Sequence, residues 1–143
     1  MTLLADRHAQ LLEAYPRLRI ADAARALGVS ELDLVRLDPR TVPLRASPEG
    51  LLRGLAGVGD TLSLTRNPWC VHERHGAWSE PTFHGGGKVG LVVGPELDLR
   101  LFLDAWVHLV HAVVDNARGP LASFQVFDAA GRAVLKVYRT AAS

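Results

Sequence analysis

The side chains with the strongest intrinsic chemistry in this sequence are six histidines and one cysteine. Neutral imidazole is the commonest protein ligand of metals, and it also acts as a general base. His108 and His111 would share a face on a helix but not on a strand, and no acidic third ligand lies near them in sequence. We therefore predict no zinc site there and expect two structural histidines of a sheet.

Cys70 is the only cysteine, so the chain can form neither an intramolecular disulfide nor a thiolate metal cluster. His72 lies two residues further on, but no third residue orients the two as a nucleophile and a base. The sequence therefore argues against a cysteine hydrolase. We expect His72 and Glu73 on the surface of a sheet, and His75 and His84 to be solvated near turns.

Three glycines between His84 and Lys88 invite comparison with a phosphate-binding loop. A true P-loop has a wider spacing, a serine or threonine after the lysine, and a helix that follows. Here an alternating, strand-like segment follows from Val89. We therefore reject a nucleotide site and expect a glycine turn.

Composition and charge limit the classes of partner. The chain has 143 residues, the size of one domain, and its 16 basic and 15 acidic residues are scattered along it. Nucleic-acid binding needs clustered positive charge, so no nucleic-acid partner is expected. No apolar run approaches the roughly 20 residues that span a bilayer, and the start, MTLLADRH, lacks the apolar core of a secretory signal. We expect a cytoplasmic protein without a membrane partner.

Residues 1–59 have the apolar spacing and the punctuation of short helices. Pro16 ends a first broken apolar stripe, and Gly28 closes a second helix. Ser30 is placed as the N-cap of a third helix. Ser47-Pro48 starts a fourth, because serine caps and proline suits the first helical position. The expected buried face of that helix is Leu51, Leu52 and Leu55.

From Thr61 onward the apolar period changes from about four to two, which is typical of strands. The leucines at 97, 99, 101 and 103 face one way, while Asp98, Arg100 and Phe102 face the other. Residues 106–114 fit either a helix or a strand; we predict a short helical turn near Leu103–Trp106 and then a strand. Residues 60–140 are predicted to form a large antiparallel sheet, and 1–143 to be one α+β domain.

Several blocks of this sequence, in order and at sensible spacing, resemble one protein family. They are TRN at 65–67 with VHE at 71–73, LDLRLFL at 97–103 with Trp106, and FQVFD at 124–128 with KVY at 136–138. The helical start at 22–31 is similar as well. The chain thus resembles one repeat unit of the HemS/ChuS-type hemin-degrading and haem-transport family.

The resemblance implies a haem-binding protein of haem-iron utilisation. In the family, the arginine at the position of Arg100 lies on the distal side of haem and holds a water near the iron, and the phenylalanine matching Phe102 packs beside the macrocycle. The chemistry is reasonable, since a guanidinium can donate to an iron-bound water and an aromatic ring covers apolar porphyrin. The alternative is an exposed strand arginine in a surface pair.

The resemblance also suggests an axial ligand. The family's ligand lies on the first helix of the second repeat, after an aspartate at D-x-H spacing, and Asp6 and His8 repeat that spacing here. His8 is therefore our first choice as iron ligand; the alternative is an exposed histidine near a frayed terminus. Lys136, Tyr138 and Arg139 either meet the haem propionates or lie on a solvated hairpin edge, and we favour the edge.

HemS-type proteins resemble tandem duplications, whereas this chain holds one copy, most similar to the first. Single-repeat relatives of the ChuX/HutX type are haem-binding dimers, so a two-fold homodimer would rebuild a two-repeat body. Haem would then lie between His8 of one copy and the Arg100 face of the other.

The family contains both haem carriers and haem degraders. No residue is assigned a catalytic role, and we favour carriage, with breakdown left open. A different class also stays open: a structural or interaction module that keeps the fold and does not bind haem.

Overall fold

Residues 3–140, which the computed structural model describes, form short helices followed by two antiparallel sheets. The helices are α1 (Leu4–Ala14), α2 (Ile20–Leu27), α3 (Glu31–Val35) and α4 (Pro48–Leu55). The strands are β1 (Val42–Pro43), β2 (Asp60–Arg66), β3 (Val71–Ala77), β4 (Thr82–His84), β5 (Val89–Val93), β6 (Asp98–Phe102), β7 (His108–Asn116), β8 (Gly119–Phe127) and β9 (Ala133–Arg139). The predicted α+β class is confirmed.

Local capping chemistry sets the helix ends as predicted. The Ser30 hydroxyl accepts a hydrogen bond from the Asp33 amide at 3.0 Å, and the Asp33 carboxylate accepts one from the Ser30 amide at 3.1 Å. The Ser47 hydroxyl accepts from the Gly50 amide at 3.0 Å. Gly28 ends α2 with φ +71°, a left-handed conformation that glycine adopts without a steric penalty.

The larger sheet has six strands in the order β1-β7-β8-β9-β2-β3, and the smaller sheet has the order β4-β5-β6. Strand β7 follows a single 3-10 turn at Leu103–Ala105, so the predicted helical turn and strand are both confirmed. The glycines between His84 and Lys88 connect β4 to β5 through a turn, with the Gly87 amide donating to the His84 carbonyl.

The main core lies between α4, the smaller sheet and one face of the larger sheet. The predicted leucines of α4 are buried, and Leu52 packs so closely on β5 that a Cβ on Gly90 would lie 2.7 Å from its Cδ1. Glycine at position 90 therefore permits the contact between helix and sheet. Helices α2 and α3 cover part of the opposite face of the larger sheet, which we call the helix-facing side.

Strand β2 buries its polar residues rather than its leucines. Thr61 and Ser63 are buried, whereas Leu62 and Leu64 are only half-buried. The two hydroxyls are satisfied inside, because Thr61 donates to the Gly76 carbonyl at 2.9 Å and Ser63 accepts from the Trp78 indole N–H at 2.8 Å. Polar and apolar residues alternate along β2 as predicted, but the hydrogen bonds of Thr61 and Ser63 allow the polar side to face the core.

Two predictions about where residues lie in the sheet were wrong, one for His75 and one for the residues of β9. His75 lies within β3, opposite Leu62, rather than near a turn, although it is exposed as expected. The second strand of the C-terminal hairpin, β9, is not an edge, because β2 pairs with its free side. Lys136 is consequently buried and Tyr138 half-buried instead of solvated, while Arg139 is exposed.

Candidate functional site

Arg100 and Phe102 lie on β6 with their side chains turned away from the core. The odd-numbered neighbours Leu97, Leu101 and Leu103 are buried, so the even-numbered positions are forced outward. Phe102 is 62% exposed. The predicted alternation along this strand is confirmed.

The cross-strand neighbours of Arg100 and Phe102 are apolar. Across the sheet, Leu91 lies opposite Arg100, and Val89 lies opposite Phe102. Val93 is exposed on the same strand as Leu91, two residues further on. Asp98 lies opposite Val93 on the same side, but it forms no ion pair with Arg100. These six residues form what we call the outer face of the smaller sheet: Val89, Leu91, Val93, Asp98, Arg100 and Phe102.

The guanidinium of Arg100 is not used within the chain. Among residues 3–140 it makes no hydrogen bond and no ion pair. The surface-pair alternative for this arginine therefore finds no partner in the described part of the chain. An uncommitted guanidinium beside apolar side chains is equipped to meet a ligand that combines a flat apolar body with a hydrogen-bond acceptor.

A second candidate site is a cavity of about 890 Å³ between the N-terminal helices and the helix-facing side of the larger sheet, which we call the helix–sheet cavity. Its size is within the range of small-molecule and cofactor sites. Apolar side chains from α1 to α3 and from β7 form much of the wall, including Leu12, Leu18, Ile20, Leu34 and Val114. His8, half-buried on α1, lines the same cavity.

Strands β8 and β9 contribute three polar side chains to this cavity: Gln125, Lys136 and Tyr138. Gln125 lies directly opposite Lys136 in the β8–β9 pair. The Gln125 amide nitrogen donates to the Ser123 hydroxyl at 3.1 Å, but its Oε1 has no partner within residues 3–140 although the side chain is 1% exposed. A buried acceptor without a donor is rare in proteins and indicates a place for a ligand or a water.

Tyr138 is held as a neutral phenol. Burial, followed by the negative charges of Glu31 and Glu73, raises the pKa of Tyr138 to about 12. The hydroxyl is therefore protonated at neutral pH and can donate a hydrogen bond into the cavity.

A charged cluster lies at another part of the cavity wall. Arg40 donates to Asp38 at 2.7 Å and to Asp115 at 2.8 Å, so it ties the segment before β1 to the end of β7. Hydrogen bonds from Arg40 hold the pKa of Asp38 at about 2 and lower that of Asp115. The cluster could not be predicted from the sequence, since Asp115 lies far from Arg40 along the chain.

The sequence-predicted residues thus occupy two places. His8, Lys136 and Tyr138 line one cavity, although they are far apart in the sequence and were not predicted as a group. Arg100 and Phe102 belong to the other sheet and do not line that cavity. Gln125 was missed as a site residue; its only signal was a large polar side chain between Phe124 and Val126 in a mostly apolar strand.

The other histidines have different surroundings. His72 and His84 are exposed, His108 Nδ1 lies 3.4 Å from an Arg36 nitrogen, and the His111 ring meets Phe124 edge-on at 5.6 Å. Within residues 3–140 no three histidine, cysteine or acidic side chains are grouped as metal ligands. No helix in that part of the chain is long and apolar enough to cross a membrane.

Comparison with known proteins gives the family. Residues 28–143 match the model of the haemin-degrading HemS.ChuX domain. The hemin transport protein HmuS of Yersinia pestis is 34% identical over 140 residues, which are 96% of this chain and 40% of that protein. The chain belongs to the HemS/ChuX domain family. It spans only about two fifths of this curated relative.

Solved structures agree with the fold. Holo-PhuS, described as a heme-binding protein from Pseudomonas aeruginosa, superposes with a TM-score of 0.87 at 44% identity, over 95% of this chain and 40% of that one. ChuX superposes with a TM-score of 0.71 at 16% identity, over 92% of this chain and 82% of that one, which is a likeness of fold alone.

Proposed function

We propose that this chain binds haem in the cytoplasm and carries it as part of haem-iron utilisation. The observation that carries the proposal is the outer face of the smaller sheet, where Arg100 and Phe102 are exposed together and the guanidinium has no partner within residues 3–140. Membership of a family whose relatives include a hemin transport protein and a heme-binding protein supports the same function.

The residues present fit haem. The outer face offers apolar contact from Val89, Leu91 and Phe102 for a flat macrocycle, with Arg100 to donate to a ligand of the iron. The helix–sheet cavity offers His8 as an imidazole ligand, and its volume of about 890 Å³ is adequate for a cofactor of this class. Lys136 and Tyr138, in the same cavity, supply donors for propionate carboxylates.

The two surfaces belong to different layers of the chain, so we place them on opposite sides of the haem in a two-fold homodimer. His8 of one copy would ligate the iron while Arg100 of the second copy faces it from the other side. A closed two-fold pair forms two equivalent sites of this kind. When bound, haem supplies the redox chemistry of its iron, and the side chains hold it, exclude water and donate hydrogen bonds.

The test is a titration of the purified chain with hemin, followed in the Soret region. The proposal predicts a sharp band that saturates at one hemin per chain, together with a dimer by light scattering. A band that grows without saturation would favour the alternative of an interaction module without haem. A monomer at saturation with hemin would remove the dimer from the proposal.

A further inference from the structure

Lys136 and Glu31 form an ion pair inside the protein. Lys136 projects from β9 to the helix-facing side, and Glu31 opens α3; their side chains are 8% and 6% exposed. Removing both charges from water offsets much of their attraction, so such a pair is a weak source of stability. The pair is of interest because each partner also lines a separate space.

Lys136 lines the large helix–sheet cavity, whereas Glu31 lines a smaller depression of about 200 Å³. Three arginines line that depression with Glu31: Arg25, Arg66 and Arg132. The ion pair therefore joins a cavity large enough for a ligand to a depression rich in guanidinium groups.

One of these guanidinium groups is uncommitted. Arg25 forms an ion pair with Asp22, with 3.8 Å between nitrogen and oxygen, and Arg132 forms one with Asp128 at 3.0 Å. The side chain of Arg66, a half-buried residue at the end of β2, has no hydrogen bond and no ion pair among the residues that the structure describes. A guanidinium is suited to a carboxylate, because its N–H groups match both oxygens.

On the cavity side, the ammonium group of Lys136 has a further hydrogen-bond acceptor across its strand pair. Gln125 lies directly across from Lys136, and its Oε1 lacks a donor within residues 3–140. An ammonium group has three N–H donors, so Lys136 can bond to this amide oxygen and still donate to a carboxylate in the cavity.

We propose that Glu31 is an internal carboxylate that occupies Lys136 until the carboxylate of a ligand enters the cavity, and that Glu31 then turns to Arg66. Glu31 thereby determines specificity: it opposes anionic ligands through competition and leaves neutral ones unaffected. The inference rests on the proposed function for the ligand's identity, since haem carries two propionates. The exchange itself needs only an apolar ligand with a carboxylate.

The test compares hemin with its dimethyl ester, in which both carboxylates are masked. Glu31→Gln is expected to bind hemin about tenfold more tightly than the wild type, since the competing charge is gone. Arg66→Gln is expected to bind hemin several-fold more weakly, because Glu31 loses its second partner. Both variants should bind the ester as the wild type does. Glu49→Gln and Arg45→Gln, at other positions, are the matched controls.

The same comparison can be made without haem by calorimetry. Laurate carries a carboxylate, and dodecanol is a neutral molecule with an apolar chain of the same length. If the variants shift laurate binding as described while hemin does not bind, the exchange stands and the haem proposal fails. If hemin binds but its affinity is unchanged in both variants, or changes equally for the ester, the exchange is wrong. Failure of both hemin and laurate to bind the wild type overturns both. Should Glu31→Gln not fold, Arg66→Gln at the rim of β2 decides alone.

Discussion

Arg100 lies directly opposite Leu91 in the β5–β6 pair, and both side chains are on the outer face, away from the core. A charged group beside an aliphatic one, with no carboxylate bonded to it in residues 3–140, is poorly explained by packing or by a surface ion pair. It is well explained by a ligand that is apolar over most of its area and polar at one point. The predictions below follow from this arrangement and from the cavity that contains His8.

Replacing Arg100 by alanine should alter haem binding without altering stability. We expect a displaced Soret maximum and an affinity lower by about 1 kcal/mol, the usual worth of one hydrogen bond. The free energy of unfolding should stay within about 0.5 kcal/mol of the wild type, as for other exposed positions. Arg45→Ala, an exposed arginine away from β6, is the control. Identical spectra for the two variants would refute the role of Arg100.

His8→Ala should remove the iron's protein ligand. The hemin-loaded variant is expected to lose the sharp Soret band and to release hemin to apomyoglobin at least tenfold faster, as one ligand bond is gone. His84→Ala serves as the control, because His84 is exposed beside the glycine turn. An unchanged spectrum in His8→Ala would show that another residue ligates the iron.

Tyr138 should ionise late in an alkaline titration. Burial raises the pKa of Tyr138 to about 12 from an ordinary value of 10.0, so the folded chain holds this proton more tightly than the unfolded chain. The resulting contribution to stability is present below pH 10 and is lost as the pH rises from 10 to 12. Absorbance at about 295 nm should show a late step in the wild type.

Tyr138→Phe supplies the comparison for that titration. The late absorbance step should disappear, and the loss of stability above pH 10 should be smaller than in the wild type. A late step that persists in the variant would come from another group, and it would contradict the raised pKa of Tyr138.

Gly90→Ala should destabilise the contact between α4 and the smaller sheet. The added Cβ would lie 2.7 Å from Leu52 Cδ1, and Leu52 is fully buried, so we expect a loss of about 1–3 kcal/mol in chemical denaturation. Leu52→Ala alone should cost about 2–5 kcal/mol. Leu52→Ala removes the Cδ1 atom with which the new Cβ clashes. The double variant should therefore lose less stability than the sum of the losses in the two single variants. Additive losses would contradict a direct contact.

The sequence predicted those parts of the fold that depend on neighbouring residues. Ser30 with Asp33 and Ser47 with Pro48 act within one helical turn, so their capping could be recognised without any tertiary information. The alternation around Arg100 was equally local, because it depends only on which neighbours are leucines.

The remaining features depend on pairing between distant segments. The burial of Lys136 follows from β2 closing the free side of β9, and neither strand carries a signal for that choice. The partner of Lys136, Glu31, comes from a helix about a hundred residues earlier. The cavity could not be predicted for the same reason, since its wall combines α1–α3 with β7–β9. Residues such as Gln125 become site candidates only once those walls are in place.

The most direct test is a crystal structure of the hemin-loaded chain. Our account predicts haem between two copies, with the iron bound to His8 of one copy and Arg100 of the other copy on the opposite side of the macrocycle. Haem bound elsewhere, or a crystal grown with saturating hemin in which both surfaces face solvent without it, would contradict the account.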